Sequence, residues 1–263
     1  MHSPARAISG LVDCHAHLCD PAFDDDRVAV LRRAREAGVA AVVTVGETLA
    51  DARRNLELAR THSELRPAAG LCPTYLDLDQ TTAVLAWIRE HHDRIVAVGE
   101  VGLDRWKVRS PADLEVQREI FLRHVRLAIE LDLPLNVHSR SAARQAIELL
   151  LGEGARRVQL HAFDGRAATA LPALEAGFLF SIPPSIVRSA QKQKLVRRLP
   201  LCSILLETDS PVLAAVPGER NEPAHLRVAL AAVAELKGVA EQLVAEAVAE
   251  NVRRLYGPRV LPA

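Results

Sequence analysis

Six residues in this chain have the types and spacing to hold metal ions. His15 and His17 lie in Asp13-Cys14-His15-Ala16-His17-Leu18, and their i, i+2 spacing turns both imidazoles to one side of a strand. Glu100 lies in Gly99-Glu100-Val101-Gly102-Leu103-Asp104, and His138 in Asn136-Val137-His138-Ser139-Arg140. His161 heads His161-Ala162-Phe163-Asp164-Gly165, and Asp209 sits in Glu207-Thr208-Asp209-Ser210-Pro211. A lone strand histidine is usually structural, so the weight rests on the set. Four imidazoles and two carboxylates would give two ions a set of protein ligands, with positions left for water and substrate. Glu100 is the natural bridge. His15, His17 and Asp209 would take one ion, and His138 with His161 the other. Glu100 and Asp209 are the catalytic candidates, with Asp209 placed to orient a water and accept its proton. Glu207 faces the same side as Asp209 and is expected to orient a ligand from behind the centre. Imidazole-rich sites suit Zn, Mn, Co or Fe, whereas Mg prefers more oxygen ligands.

Such a set works only if the fold gathers it. Eight short apolar runs read as strands, over residues 10–17, 40–46, 66–73, 95–104, 133–140, 157–164, 177–182 and 204–211. Most are continuous rather than alternating, as in parallel strands buried on both faces. Helical patterns separate them, over 24–37, 50–62, 81–92, 114–131, 142–151, 167–176 and 190–198, and two more follow over 225–236 and 240–256. The first is read with Val28, Leu31 and Arg35 on its apolar side, and the fourth carries Ile120, Phe121, Leu127 and Ile129. Gly38, Gly152 and Gly177 stand where helix-ending glycines are expected. This alternation predicts a (β/α)8 TIM barrel, one domain over residues 1–263, and the six metal-ligating candidates make it a barrel of the metallo-dependent hydrolase type. Each of the six chemical residues then falls late in its strand, on the face where barrel enzymes build their sites. The other histidines (His2, His62, His91, His92, His124 and His225) are read as tail or solvated helix positions.

Composition narrows the partners. Lys+Arg and Asp+Glu both number 33, so a nucleic-acid substrate would need a local basic patch rather than a global field. Arg140, Arg188 and Lys192 are candidates for phosphate contacts, and Asn221 with Glu222 is expected to brace the loop after the eighth strand. Cys14, Cys19, Cys72 and Cys202 lack CxxC spacing and read as reduced thiols of a cytoplasmic or nuclear protein. No apolar run reaches the ~20 residues that span a bilayer, and residues 1–9 lack a signal-peptide core. A monomer is compatible with all of this.

The same motifs resemble the TatD family of metal-dependent deoxyribonucleases. Arg220-Asn221-Glu222-Pro223 and Asn251-Val252-Arg253-Arg254-Leu255-Tyr256-Gly257 complete a match that follows the family's order over nearly the whole chain. The stretch from Phe180-Ser181-Ile182-Pro183-Pro184 to Gln191-Lys192-Gln193-Lys194 is most similar to a vertebrate branch of the family. The resemblance implies a barrel with two divalent ions and hydrolysis of DNA phosphodiesters, as a 3′ exonuclease or at abasic sites. It carries metal-ligand roles to the six residues above. Related amidohydrolase barrels often bridge their ions with a carboxylated lysine, where this chain has Glu100. One departure stands out. Relatives usually read Gly-x-His-Pro at the end of the third strand, and this chain has Gly70-Leu71-Cys72-Pro73, with a thiol in place of an imidazole near the substrate. A barrel hydrolase of small esters, amides or phosphoesters and a metal-holding scaffold without catalysis are the alternative readings.

Overall fold

The computed structural model describes residues 8–260. Strands β1 (Leu11–Ala16), β2 (Val39–Thr44), β3 (Leu65–Ala69), β4 (Ala97–Gly102), β5 (Leu135–His138), β6 (Val158–Leu160), β7 (Leu179–Ile182) and β8 (Ile204–Leu206) form one sheet in that order. Every neighbouring pair is parallel, from β1–β2 to β7–β8. Parallel neighbours require crossovers, and α1 (Arg27–Glu36), α2 (Leu49–Thr61), α3 (Leu78–His91), α4 (Pro111–Glu130), α5 (Ala143–Gly152), α6 (Ala167–Glu175) and α7 (Ala190–Arg198) supply them. Helices α8 (Leu226–Lys237) and α9 (Glu241–Tyr256) follow β8. This is the predicted (β/α)8 architecture. The regular strands are shorter than the apolar runs, because all the runs but the seventh continue past their ladders into the loops that carry the chemistry.

The seam between β1 and the eighth strand is closed by specific polar bonds. Asp209 N–H donates to His15 O (2.8 Å), and His17 N–H donates to Ser210 O (2.7 Å). Buried Asp13 accepts both the backbone N–H (2.8 Å) and the hydroxyl (2.5 Å) of Thr208. His15 and Asp209, remote in the chain, become neighbours through these bonds.

The barrel interior holds a polar column as well as apolar packing. Gln159 donates to Cys14 O (3.1 Å) and to Ser181 Oγ (2.9 Å), and the Ser181 hydroxyl donates to Glu207 Oε2 (2.5 Å). Tyr256 of α9 closes the column with its hydroxyl on Gln159 Oε1. Buried polar groups cost free energy unless paired, and these are paired with one another.

The helical phases differ from the sequence reading in places. In α1 the inward residues are Val30, Leu31 and Ala34, while Val28 is exposed and Arg35 pairs with Glu64 at the surface. In α4, Ile129 is exposed. Gly152 belongs to α5, and Gly154 takes the left-handed turn beyond it. His124, read as solvated, is fully buried in α4. His91 stacks on Trp87 with 4.3 Å between ring centroids, and His225 Nδ1 is paired with Asn221 Oδ1 (2.9 Å). His2 lies outside the described residues. No helix among those residues is long and apolar enough to cross a membrane.

Gly102 shows how tightly the strand ends meet. It pairs with His138 across β4–β5 and has a φ of +146°, and a Cβ there would lie 2.0 Å from His138 O. Gly102→Ala should therefore destabilise the protein by about 3 kcal/mol, combining backbone strain with forced separation of two strands. Urea unfolding in chelator checks this, and a loss below about 0.5 kcal/mol, the scale of a neutral surface change, would contradict the close approach.

Candidate metal centre

The six residues converge at the C-terminal mouth of the barrel. His15 Nε2 lies 3.2 Å from His17 Nε2 and 3.4 Å from Asp209 Oδ1, and His17 Nε2 is 3.6 Å from that oxygen. Glu100 Oε2 approaches the same cluster, 3.4 Å from His17 Nε2 and 3.9 Å from His15 Nε2. Its other oxygen turns away. Glu100 Oε1 is 2.8 Å from His138 Nδ1 and 3.2 Å from His161 Nε2, and those two nitrogens are 3.2 Å apart. The carboxylate is thus shared between two donor clusters. A metal bonded to tetrahedral ligands at about 2.1 Å holds its donors about 3.4 Å apart; the first cluster spans 3.2–3.9 Å and the second, drawn tighter, 2.8–3.2 Å.

Two of the imidazoles, those of His15 and His138, are aimed from behind by hydrogen bonds. His15 Nδ1 is 2.8 Å from Asn136 Oδ1, so the ring donates there and turns Nε2 inward; Asn136 in turn donates to Cys14 O (3.0 Å). His138 Nε2 donates to Asp104 Oδ2 (3.0 Å), leaving Nδ1 to face Glu100. The His161 ring stacks on that of His15 at 3.9 Å, with its Nδ1 buried, 3.8 Å from Glu207 Oε2 and without a hydrogen bond. Such outer partners fix ring orientation in metal sites.

The backbone is held in costly conformations at the same rim. Ala162 and Asp209 have positive φ values of 41° and 55°. Non-glycine residues there cost of order 1–3 kcal/mol each. Bonds hold both in place, Ala162 N–H to Glu207 Oε1 (2.7 Å) and Asp209 N–H to His15 O.

The electrostatics suit a cation. Burial opposes charge on His17 and His138, yet hydrogen bonds to carboxylates outweigh it. Asp209 and Glu100 lift His17 up to about 9, and Asp104 and Glu100 lift His138 up to about 10. Burial raises Glu100, but His138 and His161 overcome that and hold it well below the usual carboxylate range. Burial and the neighbouring His161 lower His15 to about 3. Among the described residues, the groups His15–His17–Asp209 and His15–Glu100–His161 each bring their ligand atoms within 4.8 Å of one another.

The family model described as TatD related DNase matches residues 12–257, which include all six residues. The chain belongs to the TatD family. Among TatD relatives, a protein named "Putative deoxyribonuclease TATDN3" from Mus musculus is 45% identical over 94% of this chain and 88% of its own length. "Deoxyribonuclease TATDN3" from Homo sapiens is 43% identical, covering 94% of each. A crystal structure of the TatD homologue YJJV from Escherichia coli superposes with a TM-score of 0.86 at 28% identity, over 94% of this chain and 97% of that one.

Around the TatD centre lies a cavity of about 440 Å³, lined among others by Glu47, Cys72, Asp104, Lys107, Arg140, Asp164 and Lys192. Arg140 is exposed at its rim. Lys192, from α7, is not a free surface charge: its Nζ donates to Ala162 O (2.6 Å), and burial lowers its proton affinity. Arg188 is placed differently. Its Nε donates to Ala214 O (3.3 Å), and it does not line the cavity, because the 3-10 turn after β7 points it away. Cys72 is buried and its thiol is pushed up to about 12 by burial and then by the Glu100 charge. It stays protonated, 3.4 Å from Thr74 Oγ1. Glu207 is buried with both oxygens engaged, by Ala162 N–H and the Ser181 hydroxyl. Asn221 does brace the loop, donating to Thr208 O (2.6 Å) and Val212 O (2.8 Å), and Glu222 pairs with Arg33 (2.6 Å).

Sequence reasoning missed Asn136 and Asp104 as partners of the histidines. Asn136 stands two residues before His138, on the same side of β5, and Asp104 ends the motif that contains Glu100. Both had a positional signal but no visible partner.

Proposed function

We infer that this chain hydrolyses phosphodiester bonds in DNA, with two divalent ions held on either side of Glu100. The observation that carries the reading is the division of that carboxylate between two donor clusters, supported by relatives named deoxyribonucleases. His15, His17, Asp209 and Glu100 Oε2 would hold one ion, and Glu100 Oε1, His138 and His161 the other. Bound divalent ions supply an activated water near neutral pH and neutralise charge on phosphoryl oxygens. Asn136 and Asp104 keep the required ring nitrogens facing inward. Asp209 orients the attacking water and takes its proton. Glu207 fixes Ala162 and flanks His161. Lys192 and Arg140 contact phosphate oxygens, Arg140 as a guanidinium fork. The imidazole-rich donors favour Zn, Mn, Co or Fe over Mg.

The cavity volume is that of a small-molecule pocket, which favours a strand end or an abasic site over continuous duplex. Hydrolysis of 3′-recessed, single-stranded and abasic DNA should require metal, stop with chelator and fall about 10³-fold in Asp209→Ala. If wild type and Asp209→Ala are equally inactive on every DNA while wild type cleaves a small ester, the chain is a small-molecule hydrolase instead.

A further inference from the structure

Trp106 is half exposed, unlike the chain's other tryptophan, Trp87, which is buried. A tryptophan can bury 150–250 Å² of surface in a core, as a rough range, so one left facing solvent beside a reaction centre calls for a reason. Its position is fixed by the same side chain that orients His138. Asp104 Oδ1 accepts the N–H groups of Trp106 (2.9 Å) and Lys107 (2.7 Å), while Oδ2 accepts from His138 Nε2 (3.0 Å). The turn after β4 is also tied to the loop after β5, through Arg105 N–H on Arg140 O (3.0 Å). Across that tie the Arg140 guanidinium lies over the Trp106 ring, 3.9 Å from its centroid. Arg140 and Lys107 both line the cavity that contains Glu100, His138 and Asp209.

A flat aromatic face, a guanidinium plane and an ammonium therefore sit together at the mouth of the centre. The formal net charge of the chain is zero, so attraction of a phosphate falls to local cations, and these two stand beside the aromatic face. Nucleobases stack on aromatic rings and on guanidinium planes, and phosphates pair with the flanking cations. We propose that Trp106 and Arg140 form a stacking platform for the base of a nucleotide next to the scissile phosphate. This rests on the nuclease reading above. Asp104 is then a positioning residue that sets the distance from platform to metal centre.

The test uses the full chain in chelator, titrated with single-stranded oligo-dT and with a series carrying one abasic residue walked inward from the 3′ end. Binding of oligo-dT should quench Trp106 fluorescence. One abasic position should weaken wild-type binding by about 5- to 150-fold, the range for one stacked base. Trp106→Ala should bind oligo-dT as weakly as wild type binds that abasic oligonucleotide and should lose the discrimination. Trp106→Phe should keep most of it, which a purely structural defect would not allow. With metal restored, Trp106→Ala should raise KM much more than it lowers kcat. If Trp106→Ala still discriminates, or if oligo-dT leaves the fluorescence unchanged, the platform is wrong while the nuclease reading stands. If the metal-loaded wild type cleaves none of these oligonucleotides, the nuclease reading fails and the platform with it.

Discussion

Glu100→Gln should bind at most one ion per chain and hydrolyse DNA about 10³-fold more slowly than the wild type, the scale expected when charge stabilisation at a reacting centre is removed. The substitution keeps the size of the side chain, so the fold around it is preserved. It removes the negative charge and replaces one oxygen with an N–H donor. Glu100 is nearly buried and uses both oxygens, Oε1 toward His138 and His161 and Oε2 toward His15 and His17. An amide can present an acceptor to one cluster only, and it turns a donor on the other. The metal-free protein gives an independent readout. Hydrogen bonding to Glu100 is one of the contacts that lift His138 up to about 10 against its burial, so an NMR titration should find that proton affinity lowered in the variant. Elemental analysis counts the ions. Two ions per chain in Glu100→Gln, with a rate within about tenfold of wild type, would mean that no single carboxylate bridges the centre.

The metal-centre candidates were readable because barrel topology converts a one-dimensional rule into a place. Once eight parallel strands are expected, every residue late in a strand shares one rim, whatever the distance along the chain. His15, His17, Glu100, His138, His161 and Asp209 needed nothing more to be grouped. The residues behind them needed register. Asn136 meets His15 across 121 positions of sequence, and Asp104 meets His138 across 34. No local pattern marks such pairs. Trp106 was illegible for a related reason, since an aromatic residue in a loop has no periodicity and gains meaning only from the Asp104 turn beneath it. Arg188 and Lys192 show the opposite difficulty. They are four residues apart with similar charge, yet one faces away and the other reaches Ala162 O.

Helix phase was the weakest part of the sequence reading, and His124 is where it matters for stability. In an amphipathic helix a single histidine among charged residues reads as solvated, but α4 buries His124 completely. Its Nδ1–H donates to Ile120 O (2.8 Å), and its buried Nε2 has no hydrogen-bond partner. Burial holds its pKa down from the ordinary 6.5 to about 4, outweighing the carbonyl that would raise it. Above pH 6.5 the imidazole is neutral in both folded and unfolded chains, and the folded state has its full stability. As pH falls below 6.5 the unfolded chain takes up a proton that the folded chain refuses, so stability drops until the folded imidazole itself titrates near pH 4. A tenfold change in proton affinity is worth about 1.36 kcal/mol, which makes the whole loss about 3 kcal/mol. His124→Leu removes the titrating group and the unpartnered nitrogen while keeping an apolar side chain in the core. It should be at least as stable as wild type near neutral pH and should lose about 2 kcal/mol less between about pH 7 and about pH 4.5, most of the whole difference. Urea unfolding of both proteins in chelator, at about pH 7 and about pH 4.5, isolates this residue from the histidines of the metal centre, which are common to both. Equal pH dependence in the two proteins would show that His124 accepts its proton without unfolding.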